Sequence, residues 1–171
     1  MKIVVVSDSH GDRQIVQEIV DRYVDKVDGI FHCGDSELSI DDPLIDKLHI
    51  VQGNMDLAAF ADHDLETIGD QTVLTVHGHH QNVNSGLLNL ELYGRSLSAN
   101  IVLFGHTHQL TATFDDHILF VNPGSISQPR GEYAKIGGTY ALIDSDDQQY
   151  TVQYYNRRFQ PLNNLKLHFT H

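Results

Sequence analysis

The chain has 171 residues, 40% of them hydrophobic and 20% charged, a balance that excludes a wholly disordered chain. Its 11 Lys and Arg against 23 Asp and Glu give a formal charge of −12, which repels phosphate backbones and excludes a basic nucleic-acid-binding surface. The single Cys33 excludes an intramolecular disulfide, and no apolar run approaches the roughly 20 residues of a membrane helix.

The chain opens on a strand-like run in place of a leader, so we expect a single cytoplasmic domain over residues 1–171. The first apolar run, 3–6, leads into Asp8 and His10. Ile15, Val16, Ile19, Val20, Tyr23, Val24 and Val27 then recur at helical spacing, predicting a helix over 12–27 capped by Asp12. A strand at 29–31 precedes His32-Cys33-Gly34-Asp35, and a short helix is expected over 42–48 with Pro43 in its first turn. Runs at 50–51 and 73–76 precede Gly53-Asn54 and His77-Gly78-His79-His80. A helix is expected over 85–98, carrying Leu87, Leu88, Leu92 and Leu97, and a run at 101–104 precedes Gly105-His106-Thr107-His108.

The period then changes to hairpins, 111–114 with 117–121 and 138–143 with 148–155. The tail 156–171 reads as an added strand, a docking arm or a disordered segment, and its sequence does not choose. Strand–helix–strand units followed by hairpins predict a mixed α/β sandwich of two packed sheets with outer helices.

The polar tips hold Asp8, His10, Asp35, Asn54, His77, His106 and His108, each shortly after an expected strand. Functional groups collect beyond the carboxyl ends of strands, so these tips are expected to converge. Imidazoles, carboxylates and one amide overfill a single tetrahedral zinc site but suit two ions sharing a carboxylate, for which Asp35 is the best candidate. Bound cations would also reverse the acidic field for an anionic substrate.

The ordered set Asp8-x-His10, Gly34-Asp35, Gly53-Asn54, His77 and Gly105-His106-Thr107-His108 resembles the calcineurin-like metallophosphoesterase superfamily. Asn122-Pro123-Gly124-Ser125, with Arg130 after it, is similar to the small YfcE-type phosphodiesterases. The resemblance implies a four-layer α/β/β/α sandwich and two divalent metal ions, most often manganese, with iron, nickel or zinc also used. It implies one metal on Asp8, His10, Asp35 and His108, and the other on Asp35, Asn54, His77 and His106. It further implies hydrolysis of a phosphodiester by hydroxide held between metals about 3.5–4 Å apart. The alternatives are a phosphomonoesterase on a small metabolite and, further off, a non-catalytic interaction module of the same fold.

Many members of that superfamily carry His after the Gly-Asn pair; this chain has Met55, which cannot donate a proton. Leaving groups that depart unprotonated should therefore be favoured. Asp35, Asn54 and His79 form the expected catalytic set, His79 orienting substrate or a metal ligand, with His80 beside it. Asp56 is weighed as a carboxylate orienting a metal-bound histidine, Arg130 as a surface ion-pair partner or a phosphate contact, and Cys33 as a buried apolar residue. The expected partner is a small phosphate ester, with no stable nucleic-acid complex and no membrane association; self-association is left open.

Overall fold

Ile3 and Val5 of strand β1 (Lys2–Val6) face one apolar layer, and Val4 and Val6 face another, as a two-residue period requires of a strand buried on both sides. That division organises the computed structural model, which describes residues 1–170. The last residue of the expected tail, His171, lies outside the described residues.

One six-stranded sheet runs β11-β10-β9-β1-β2-β3. Strands β2 (Gly29–His32) and β3 (His49–Ile50) lie parallel to β1, while β9 (Thr139–Ser145), β10 (Gln149–Asn156) and β11 (Pro161–Thr170) extend it antiparallel. The other sheet has five strands, β4-β5-β6-β8-β7. Here β5 (Gln71–Val76), β6 (Ile101–Leu103) and β8 (Ile118–Pro123) are parallel, and β4 (His63–Ile68) and β7 (Leu110–Asp115) form antiparallel edges.

Between the sheets, Ile3, Val5, Phe31 and Ile143 pack with Val73, Ile101, Leu103 and Val121. Helix α1 (Arg13–Tyr23) covers the outer face of the first sheet through Ile15, Val16, Ile19 and Val20. Helix α2 (Leu88–Ser96) covers the second through Leu90, which packs with Leu74, Val102 and Phe104. The layers are therefore helix, sheet, sheet, helix, as the resemblance implied. No described helix is long and apolar enough to cross a membrane.

Both hairpins form where expected, and of the three readings of the tail the added strand is the one observed, as β11 pairs with β10. Helical bounds needed correction. Helix α1 does start at its Asp12 cap, whose Oδ1 accepts from Ile15 N at 3.3 Å. It stops at Tyr23, because a tight turn from Lys26 N to Tyr23 O redirects the chain toward β2, where Asp28 N pairs with Lys2 O. The expected 42–48 helix is one 3-10 turn, Ile45–Lys47. Gly86, at φ 127, interrupts the expected 85–98 helix, so α2 starts later and leaves Leu88 and Leu92 exposed.

Candidate metal centre

Each site residue sits just beyond a strand end, and the backbone there turns sharply. Asp8, His10, Asp35, His106 and His108 have φ of 54°, 44°, 52°, 66° and 60°, the left-handed region that costs a residue with a Cβ about 1–3 kcal/mol. Such turns aim side chains from the ends of β1, β2 and β6 at a common point. Two glycines permit the close approach: a Cβ on Gly53 would lie 2.1 Å from Asp35 Oδ1, and one on Gly105 2.1 Å from Ser7 Oγ. Neither has a positive φ, so crowding and not turn geometry accounts for glycine at these two positions.

The structure brings all seven expected donors together. Donor atoms of Asp8, His10, Asp35 and His108 all lie within 4.8 Å of one another. His77 Nε2 lies 3.1 Å from Asn54 Oδ1 and 3.4 Å from Asp35 Oδ2, and the His106 ring stands 5.1 Å from the His77 ring. Asp35 thus touches both groups.

Three of the imidazoles have a fixed tautomer. His77 Nδ1 donates to Cys33 O at 2.7 Å, His108 Nδ1 to Gln128 O at 2.7 Å, and His10 Nδ1 to Glu37 Oε1 at 2.9 Å. Every Nε2 lone pair is therefore turned inward. His10 Nε2 and His108 Nε2 approach to 3.3 Å, and Asp8 Oδ1 is buried without a hydrogen-bond partner, 3.2 Å from His108 Nε2 but out of alignment. Bare acceptors converging on one another need a positive charge between them, so the donor set fits divalent cations.

The supporting residues were harder to foresee. Asp56 does not orient a histidine: its carboxylate accepts from Asp35 N (2.9 Å), Gly53 N (2.8 Å), Glu37 N (2.6 Å) and Ser36 Oγ (3.0 Å), tying the β2 and β3 tips together. Asn122 and Ser125 brace the site through their side chains. Asn122 Nδ2 donates to Gly105 O at 2.8 Å and Ser125 Oγ to Asp8 O at 2.7 Å. Glu37 went unnoticed in the sequence because its contact depends on its own left-handed turn, at φ 55°.

Electrostatics match the geometry. Burial works to lower the pKa of His77 and His108, but the Asp35 carboxylate beside His77 and the Asp8 carboxylate beside both outweigh it and hold both raised. His106 is lowered by burial and by neighbouring His77. Asp35 is partly desolvated, yet His77 keeps its carboxyl below the usual range.

His10, Asp35, Asn54, His106 and His108 open on a cleft of about 290 Å³ whose wall includes Met55 and Arg130. Among the described residues no carboxylate pairs with Arg130, so it is free to meet an anion in the cleft. His79 does not line that cleft; its ring lies 3.9 Å from the ring of His80 and 5.3 Å from that of His77, and its Nδ1 is buried without a partner. Cys33 is fully buried between the sheets, as expected.

Comparison with known proteins agrees with this architecture. Residues 1–148 match the family described as the calcineurin-like phosphoesterase superfamily domain. A Bacillus subtilis protein named "Probable metallophosphoesterase YsnB" is 34% identical over 97% of this chain and 97% of its own. A phosphodiesterase of Methanocaldococcus jannaschii is 24% identical over 88% of this chain and 96% of its own. A crystal structure of a predicted phosphoesterase from Streptococcus pneumoniae superposes with a TM-score of 0.96 at 40% identity, covering 99% of this chain and 97% of that one. The fold is that of the metallophosphoesterases. Within that class, the chain belongs to the calcineurin-like phosphoesterase superfamily.

Proposed function

We propose that this protein is a phosphodiesterase for small diesters with good leaving groups. The observation that carries the reading is the makeup of the cleft wall, where Met55 follows Asn54 and Arg130 stands unpaired. One cation would be held by Asp8, His10, Asp35 and His108, and a second by Asp35, Asn54, His77 and His106. Divalent cations bound there, manganese being our choice, supply Lewis acidity toward phosphoryl oxygens and acidify coordinated water.

The chain's own residues supply the rest. Glu37, Cys33 O and Gln128 O fix the histidine tautomers. Arg130 neutralises and orients a phosphoryl oxygen, and its planar fork suits phosphate. Asn54 contributes a neutral oxygen, which limits the negative charge around the cations. His79, beside His77, acts as a positioning residue for that ligand. Met55 offers no proton to a departing alkoxide, so phenolate-like leaving groups are preferred. The −12 charge favours small substrates over long nucleic acids.

A manganese-reconstituted enzyme assayed in parallel on aryl phosphodiesters and aryl phosphomonoesters tests the reading. We expect the diester rate to dominate. A dominant monoesterase rate overturns the substrate class, and no hydrolysis of either ester with saturating manganese overturns catalysis in favour of a binding role.

A further inference from the structure

The two sheets meet at a second group of metal-ligating side chains, none of which belongs to the seven donors or lines their cleft. Strand β3 is the edge of one sheet and β4 the edge of the other, and an isolated bridge between Val51 and Ala61 holds the two edges side by side. His49 lies on β3, and Asp64 and Glu66 lie on β4. Two residues apart on a strand, the carboxylates share one face. They repel one another, and no Lys or Arg pairs with either among the described residues; the only cationic partner within reach is His49, from the opposite sheet.

The three donor atoms lie close enough to share a cation in place of the His49–Asp64 hydrogen bond. His49 Nδ1 stands 3.1 Å from Asp64 Oδ2 and 3.7 Å from Glu66 Oε1, with all three donor atoms within 4.8 Å of each other. A tetrahedral zinc about 2.0–2.2 Å from each donor requires separations of about 3.3–3.6 Å, so small rotations of the carboxylates suffice. Stacking on Phe31, at 4.5 Å between centroids and 16° between planes, fixes the imidazole so that Nδ1 faces the carboxylates. All three groups are partly exposed, which leaves room for a water as fourth ligand.

We propose that His49, Asp64 and Glu66 form a separate zinc-class divalent cation site that clips the edges of the two sheets together. The clip stands at the neck of the loop that carries Asn54 and Asp56. That neck is already drawn in by Gln52 N to Ala61 O at 2.7 Å and Phe60 N to Gln52 Oε1 at 2.8 Å. Occupancy would therefore stiffen the base of the segment that presents Asn54.

The test is zinc content after equilibrium dialysis of the full chain against Zn²⁺, compared between wild type and two variants. His49→Phe keeps the stacking on Phe31 and removes the nitrogen donor. Glu66→Lys places a positive charge in the site at a partly exposed position and carries the comparison if His49→Phe fails to fold. Each variant should hold one zinc fewer per chain, with thermal melting in EDTA close to wild type. Because the difference between proteins is read, the result stands whatever the strand-tip site binds. Equal zinc content overturns the proposal, as does a difference that emerges only at millimolar zinc; equal content with weaker melting in EDTA marks a plain imidazole–carboxylate ion pair.

Discussion

His10 and His108 face each other Nε2 to Nε2 at 3.3 Å, while the other nitrogen of each ring donates to Glu37 Oε1 and to Gln128 O. Two lone pairs at that distance repel unless a proton or a cation lies between them. The same conflict recurs where His77 Nε2 meets Asn54 Oδ1 and Asp35 Oδ2.

Cation removal should therefore act on both activity and stability. Exhaustive chelation is expected to abolish ester hydrolysis and lower the melting temperature, with manganese restoring both. Asp35→Asn, which weakens the one carboxylate common to both donor groups, should stay inactive with manganese present. Full activity in the chelated wild type contradicts the assignment.

Met55 lines the cleft and has no proton to give a leaving oxygen. Met55→His should raise rates on alkyl esters relative to aryl esters, within the roughly 10²–10⁴-fold that general acid catalysis provides. The measurement is the ratio of kcat/KM for an alkyl and an aryl diester in each protein. An unchanged ratio removes leaving-group protonation as the explanation for substrate preference.

Arg130 lines the cleft without an ion-pair partner among the described residues. Arg130→Ala should reduce kcat/KM for the diester by about 10–100-fold, the loss of one charge-assisted contact of about 1.5–3 kcal/mol. Metal content should not change, since the Arg130 side chain donates to no ligand and its backbone N–H, which donates to His108 O at 3.0 Å, is kept in the variant. A variant with wild-type kinetics places the guanidinium outside the substrate's reach.

The donors were legible because each follows a β-branched run, and such runs become parallel strands whose carboxyl ends share an edge of a sheet. What supports them was not. Asp56 accepts amides from Asp35, Glu37 and Gly53, and only the tertiary meeting of two tips creates that contact. Strand β4 escaped notice because its burial alternates between exposed and half-buried along His63–Ile68, so no apolar period marks it. Leucine spacing alone does not register the break at Gly86, so α2 is shorter than the spacing predicts.

The Asp56 clamp has a measurable cost of removal. Asp56→Ala leaves the Asp35 and Gly53 amides without their acceptor, at about 1–3 kcal/mol each for a buried unpaired donor. We expect unfolding free energy to fall by about 2–6 kcal/mol in urea titrations. Manganese stoichiometry should fall as well, because Asp35 and Asn54 lose their common anchor. A variant with reduced stability and unchanged metal content limits Asp56 to the fold.

His32 gives the protein a defined response to acid. Its ring is fully buried, with Nε2 3.0 Å from Ser9 Oγ and Nδ1 unpartnered. Burial, partly offset by the charges of Asp56 and Asp8, lowers its pKa from 6.5 to about 4. The unfolded chain thus takes up a proton below about 6.5 that the native ring refuses until about 4, so native stability is highest above that window and falls as pH drops through it. Between pH 7 and pH 5 the loss from this one group is about 2 kcal/mol. His77 and His108, with raised values, push the opposite way in the chelated protein, so the effect must be read as a difference. Urea unfolding of chelated wild type and His32→Gln at both pH values isolates it: the variant should lose about 2 kcal/mol less on acidification. Parallel losses in the two proteins mean that the native ring is protonated as readily as the unfolded one.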